Sequence, residues 1–151
     1  MENDRLQKVI YAAGYFDGEG CVYVSSLRGV GFQIRISIAG YDTCAMNAFA
    51  DLWGGKVSLE RRKKNKYLVS RWQIASQNAI KALREMHPYL LVKKEQAGMV
   101  LESGWEKCEI GTLTDEQVRL RMKLYLDLRA AKHPKGRDKS HLSCKIEEDD
   151  V

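Results

Sequence analysis

The sequence is poor in several residue types, and each shortage excludes something. Proline occurs twice, at Pro88 and Pro134, so long stretches are free to form regular structure. There are four cysteines, Cys21, Cys44, Cys108 and Cys144, with no Cys-x-x-Cys pair. Three scattered histidines, His87, His133 and His141, add no zinc-like spacing. Free thiols in a reducing compartment are the expectation. No apolar run approaches the roughly 18 residues of a membrane span. The opening MENDRLQKV is polar and lacks the apolar centre of a signal peptide. An intracellular protein, neither secreted nor membrane-bound, is expected.

What is present is a chain of 151 residues, 44% hydrophobic and 30% charged, enough for one domain with a core. Its net charge of +5 is unevenly spread. From Lys56 to Gln73 there are seven basic residues and one acid, a local +6, which leaves the remainder at −1. A concentrated basic patch suits a polyanionic partner.

Periodicity orders the chain. Leu6, Val9, Ile10, Ala13 and Phe16 predict a helix over 4–17, stopped by Gly18 and Gly20. Strands follow at 21–28 and 32–40. Asp42 or Thr43 caps a helix over 43–53, which Gly54-Gly55 ends. A second hairpin has strands at 56–63 and 67–75. Further helices are expected at 77–86, 89–106 and 115–132, the last opened by a Thr114/Gln117 capping box. Residues 1–133 read as one domain and 134–151 as a flexible polar tail. Two hairpins in one antiparallel sheet, with helices on one face, make an α+β layout.

The other sheet face is polar. Tyr23, Ser25, Gln33, Arg35, Ser37, Ser58, Glu60, Arg62, Tyr67, Val69, Arg71 and Gln73 share it by alternation. Arg, Gln and Ser suit base edges in a major groove, and Lys63, Lys64 and Lys66 at the hairpin tip suit phosphates. Eight or nine strand residues span about 28 Å, or about eight base pairs.

Asp17 and Glu19 stand two residues apart where the first helix ends. The helix dipole disfavours acids there unless a cation joins them. Carboxylate and carbonyl oxygens suit a hard divalent cation, and one beside a phosphodiester supports hydrolysis. One chain supplies too few carboxylates. Two chains meeting through Ala12, Ala13 and Gly14 would supply two, since small residues let helices approach closely.

Ala12-Ala13-Gly14-Tyr15-Phe16-Asp17-Gly18-Glu19-Gly20 resembles the LAGLIDADG motif of homing endonucleases, matching its Ala, Gly, first Asp and final Gly at Ala13, Gly14, Asp17 and Gly20. Pro88 to Ala97 resembles a second stretch of that family, Pro-aromatic-Leu-x-x-Lys-x-x-Gln-Ala. The likeness covers about residues 6–105 and implies an αββαββα fold, a saddle-shaped sheet on DNA, and here an extra C-terminal helix. It implies a homodimer, since only one motif is present, that cuts double-stranded DNA at a near-palindromic site of roughly 16–22 base pairs. It implies Mg²⁺, with Mn²⁺ or Ca²⁺ able to substitute in binding, and no organic cofactor. Glu19 would be catalytic and bind metal with the Gly18 carbonyl. Lys93 would lie near the scissile phosphate, and Ala13, Gly14 and Asp17 at the dimer interface. Family members often order water with Gln or Lys at the end of the second strand. Gly40 cannot do this, which leaves Tyr41 or Asp42. An RNA maturase and a non-catalytic DNA-binding regulator are alternative activities of such a fold.

Overall fold

The computed structural model describes residues 2–27, 31–61, 67–105 and 114–132. The order is α1 (Glu2–Glu19), β1 (Gly20–Leu27), β2 (Gly31–Gly40), α2 (Thr43–Trp53), β3 (Lys56–Arg61), β4 (Leu68–Ala75), α3 (Ser76–Met86), a 3-10 turn (His87–Tyr89), α4 (Lys94–Glu102) and α5 (Asp115–Lys132). The strands form one antiparallel sheet in the order β1-β2-β4-β3. The two hairpins therefore join through β2 and β4, with Ile36 opposite Ile74 and Ile38 opposite Trp72.

Alternation puts Val22, Val24, Ile34, Ile36, Ile38, Trp72 and Ile74 on one face, where they are buried under the helices. α1 contributes Val9, Ala12, Ala13 and Phe16. Phe49 and Trp53 of α2 meet Trp72 at ring-centroid separations of 5.0 and 6.4 Å. Such contacts add about 0.5–1.5 kcal/mol each beyond burial. Trp72 also donates to the Gly54 carbonyl at 2.7 Å, so the turn after α2 is tied to the sheet. Gly54 and Gly55 there have φ of 73° and 97°, the left-handed region glycine enters without strain.

Two helix boundaries differ from the sequence reading. α1 passes through Gly18 and stops at Glu19, and β1 begins at the next residue. Gly20 makes that handover possible, because a Cβ there would collide with the ring and carbonyl of Phe16. The helix expected over 89–106 starts only at Lys94. Leu90 is extended, and the amides of Leu91 and Lys93 donate to the Asp17 carboxylate. A tertiary acceptor thus takes amides that helix formation would need.

Other caps match. Asp42 accepts from Cys44 N at 2.8 Å. Thr114 and Gln117 exchange both bonds of a capping box, at 2.9 and 3.2 Å. Leu124 and Leu128 of α5 are buried in the main core, and Tyr125 faces Phe32 of β2 at 6.0 Å. No helix among the described residues is long and apolar enough to cross a membrane. The tail expected at 134–151, and Arg62, Lys63, Lys64 and Lys66, lie outside the described residues.

Candidate nucleic-acid interface and active site

Tyr23, Ser25, Gln33, Arg35, Ser37, Ser58, Glu60, Arg71 and Gln73 do share the sheet face opposite the core. The register pairs Tyr23 with Arg35, Ser25 with Gln33, Ser37 with Gln73 and Ser58 with Arg71. Several are held in place. Gln33 Nε2 donates to Ser76 Oγ at 2.9 Å, and its Oε1 accepts Nε and a terminal nitrogen of Arg35 at 3.1 and 3.0 Å. That leaves the rest of the guanidinium free to meet a ligand in a fixed orientation. Arg71 Nε lies 3.3 Å from Glu60 Oε1 across the second hairpin.

Ser37 is a correction. It lies on this face but is only 4% exposed. Its short side chain sits between the cross-strand partners Cys21 and Gln73, below the reach of a base edge. Val69 is buried likewise. Tyr67 is exposed and meets Tyr41 edge-on at 6.5 Å. Lys132 comes from α5 to the same face, its Nζ 3.1 Å from Cys21 Sγ and 5.8 Å from the Tyr23 ring centre. The sequence offered no signal for that, since α5 is distant in the chain.

At the end of α1 the two acids separate. Asp17 accepts from Leu91 N at 2.7 Å and Lys93 N at 3.0 Å, and the Lys93 ammonium donates to the Asp17 carbonyl at 2.5 Å. α1 has no basic residue in its last turn. Lys93 supplies the missing cation from 76 positions away and occupies a carbonyl that the helix end leaves open. Glu19 is exposed. It borders an open depression of about 530 Å³ together with Tyr15, Ala39, Gly40, Tyr41, Asp42 and Val69. Burial holds the Tyr15 phenol above its ordinary pKa, and the charges of Glu19 and Asp42 push it the same way. It therefore stays protonated through the neutral range. Tyr15 was not among the residues singled out from the sequence. Its four-residue spacing from Glu19 was the available signal.

Gly14 and Gly18 have open space where a Cβ would point. With exposed Leu6 and Ile10 they form a stripe at four-residue steps on α1. Ala13, on the flank of that stripe, is wholly buried in the chain's own core, so its side chain is not part of the open surface. Leu91 and Val92, 86% and 73% exposed, project from the loop that Asp17 holds.

No family model matches the sequence, and no curated protein matches it. Solved structures do. The chain aligns with an archaeal intron-encoded homing endonuclease, I-Vdi141I, complexed with DNA, over 94% of both chains at a TM-score of 0.67 and 19% identity. The fold is that of the LAGLIDADG homing endonucleases. It also aligns with the homing endonuclease I-CvuI, in complex with its target in the presence of Ca, over 83% of this chain and 97% of that one, at a TM-score of 0.54 and 16% identity. For the meganuclease I-SmaMI, bound to uncleavable DNA, the match covers 85% of this chain and 45% of that one, at a TM-score of 0.53 and 12% identity. At these identities the likeness is one of LAGLIDADG architecture. It extends through most of the chain, beyond the nine-residue motif.

Among the described residues no group of three or more His, Cys, Asp or Glu side chains converges. The Glu19 carboxylate and the Gly18 carbonyl stand in the last turn of α1. Both are hard oxygen donors of the kind Mg²⁺ takes, and both stand on exposed residues.

Proposed function

We propose that the protein is a homodimeric, Mg²⁺-dependent endonuclease that cuts double-stranded DNA at one long, near-palindromic sequence. The observation that carries this is the adjacency of two surfaces. An exposed carboxylate, Glu19, ends α1, and the next residue begins a strand whose outer face is polar and partly pre-ordered. Complexes of I-Vdi141I and I-CvuI with DNA support the choice of ligand.

In this reading β1 to β4 lie along the major groove. Arg35, fixed by Gln33, and Arg62, Arg71, Gln73, Tyr23, Ser25 and Ser58 meet base edges or backbone, while Lys63, Lys64 and Lys66 meet phosphates. The α1 stripe of Leu6, Ile10, Gly14 and Gly18, flanked by Leu91 and Val92, packs on its counterpart in a second copy. That pairing brings two Glu19 carboxylates together and completes the cation site. A C₂ pair reads a two-fold target. Glu19 and the Gly18 carbonyl would hold Mg²⁺, which when bound acidifies water and neutralises a leaving oxygen. The chain's own part is to hold water at Glu19 and a phosphate near Lys93. The water oxygen bonds to phosphorus, one P–O ester bond breaks, and the protons of the water pass to the leaving oxygen and to solvent. The Lys93 ammonium, anchored at the helix end, stabilises the charge on the phosphate.

The test is selection from a randomised duplex library with Mg²⁺. Wild type should cut one long, nearly two-fold sequence, and Glu19→Gln should bind that sequence without cutting it. Specific binding with no cutting by wild type in Mg²⁺ or Mn²⁺ would identify a regulator. Splicing of a host intron aided equally by wild type and Glu19→Gln would identify a maturase. A monomer mass on DNA would remove the dimer.

A further inference from the structure

Beside Glu19 lies a polar group with no assigned task. Tyr15 and Glu19 line the same depression, and the four-residue spacing puts both on one side of α1. No described residue hydrogen-bonds to the Tyr15 hydroxyl. The ring is fixed by Tyr11 at 6.4 Å and, edge-on, by Phe49 at 6.1 Å. The tip of the side chain sits over Gly40. A Cβ at Gly40 would come within 3.0 Å of the phenol oxygen, tighter than such contacts normally are. The missing side chain at the end of β2 therefore makes room for a hydroxyl that arrives from α1. The other acid on the depression, Asp42, already uses one oxygen to cap α2. Glu19 has no such duty.

We infer that Tyr15 is a further catalytic residue, whose hydroxyl donates a hydrogen bond to the water held at Glu19 and fixes its oxygen for attack on phosphorus. The water then has a defined orientation. One of its hydrogens points to the carboxylate and one lone pair accepts a hydrogen bond from the phenol, and the electron pair freed when the first hydrogen leaves as a proton is the one that bonds phosphorus. A neutral donor does this without competing with Glu19 for a cation, as Lys or Arg would by charge. The inference rests on the endonuclease reading for its chemical step, and on geometry for its placement.

Two measurements test it. Tyr15→Phe keeps the ring and both aromatic contacts and removes only the oxygen. DNA affinity should stay within about twofold and the melting temperature within about 2 °C, while the single-turnover cutting rate at saturating DNA falls about 10- to 100-fold. Gly40→Ala should slow the wild type by pressing on the hydroxyl, and should slow Tyr15→Phe no further. Unchanged cutting by Tyr15→Phe, or additive losses in the double variant, would overturn the assignment and leave the endonuclease reading intact. Independently, a high-resolution crystal structure of the free protein should show a water bonded to both Tyr15 Oη and Glu19, absent in Tyr15→Phe. A water that stays in place in the variant overturns the placement. A wild type that cuts no DNA while holding that water overturns the endonuclease reading instead.

Discussion

Asp17 and Glu19 leave the same helix end and meet opposite fates. The Asp17 carboxylate is consumed by the fold, accepting two backbone amides from the segment between the 3-10 turn and α4. Glu19 faces solvent beside a depression and holds no structural partner among the described residues. In the proposed reading, one short motif thus combines scaffold with chemistry. The acid that faces the chain's own loop organises it, and the acid two residues further on is left for the proposed ligand.

The sharpest way to break that comparison is to neutralise each acid without changing its shape. Glu19→Gln should leave the melting temperature near wild type and lower the cutting rate by on the order of 10³-fold or more, read by single-turnover kinetics. Asp17→Asn should do the reverse. One amide donor in the loop would face a side-chain NH₂, at a cost of about 2 kcal/mol and a fall in melting temperature of about 4–8 °C for a domain of this size, measured by thermal unfolding. If Asp17→Asn loses cutting at full stability, the two roles are not separate.

Gly14 extends the comparison to the outer side of the helix. No described residue meets a Cβ there, so Gly14→Leu should raise the stability of the isolated chain by up to about 0.8 kcal/mol through helix propensity. The proposed dimer should nonetheless dissociate in sedimentation experiments. A loss of monomer stability would place the constraint inside the chain. The smallest expected effects lie on the sheet. Gln33→Ala frees the Arg35 guanidinium and should relax sequence preference at one position by about 1 kcal/mol, or about fivefold. Lys64→Ala should weaken all DNA alike and reduce the salt dependence of binding by about one unit of slope.

How much of this was legible in the sequence follows from how local each cause is. β2 alternates strictly and β4 does so from Arg71 onward, so their faces could be read directly from Ile34-Ile36-Ile38 and from Trp72-Ile74. The caps at Asp42 and Thr114 depend on residues two or three positions away and were equally readable. The late start of α4 was not, because its cause is an acceptor on Asp17, 74 and 76 positions from the amides it takes. Ala13 looked like an interface residue because small residues suit both a tight helix crossing and a close approach to the sheet. Only the fold shows which side it faces. Ser37 has the polarity of a reading residue and lacks the length. Tyr15 was hidden because an aromatic residue on an amphipathic helix reads as core, and its ring does pack there. Only the placement of its oxygen against a glycine on another element sets it apart.

The direct passage from Glu19 to Gly20 has one more result. With no residue between helix and strand, and with Gly20 pressed on Phe16, α1 and β1 behave as a single bent lever without a hinge. In the proposed dimer the angle at which the two helices cross then sets how far apart the two reading ribbons stand. In that dimer, steric bulk at Gly14 and Gly18 would set the spacing of the target's half-sites. A modest enlargement there that still allows pairing should change which spacer length the protein accepts, while leaving each half-site's preferred letters as they were.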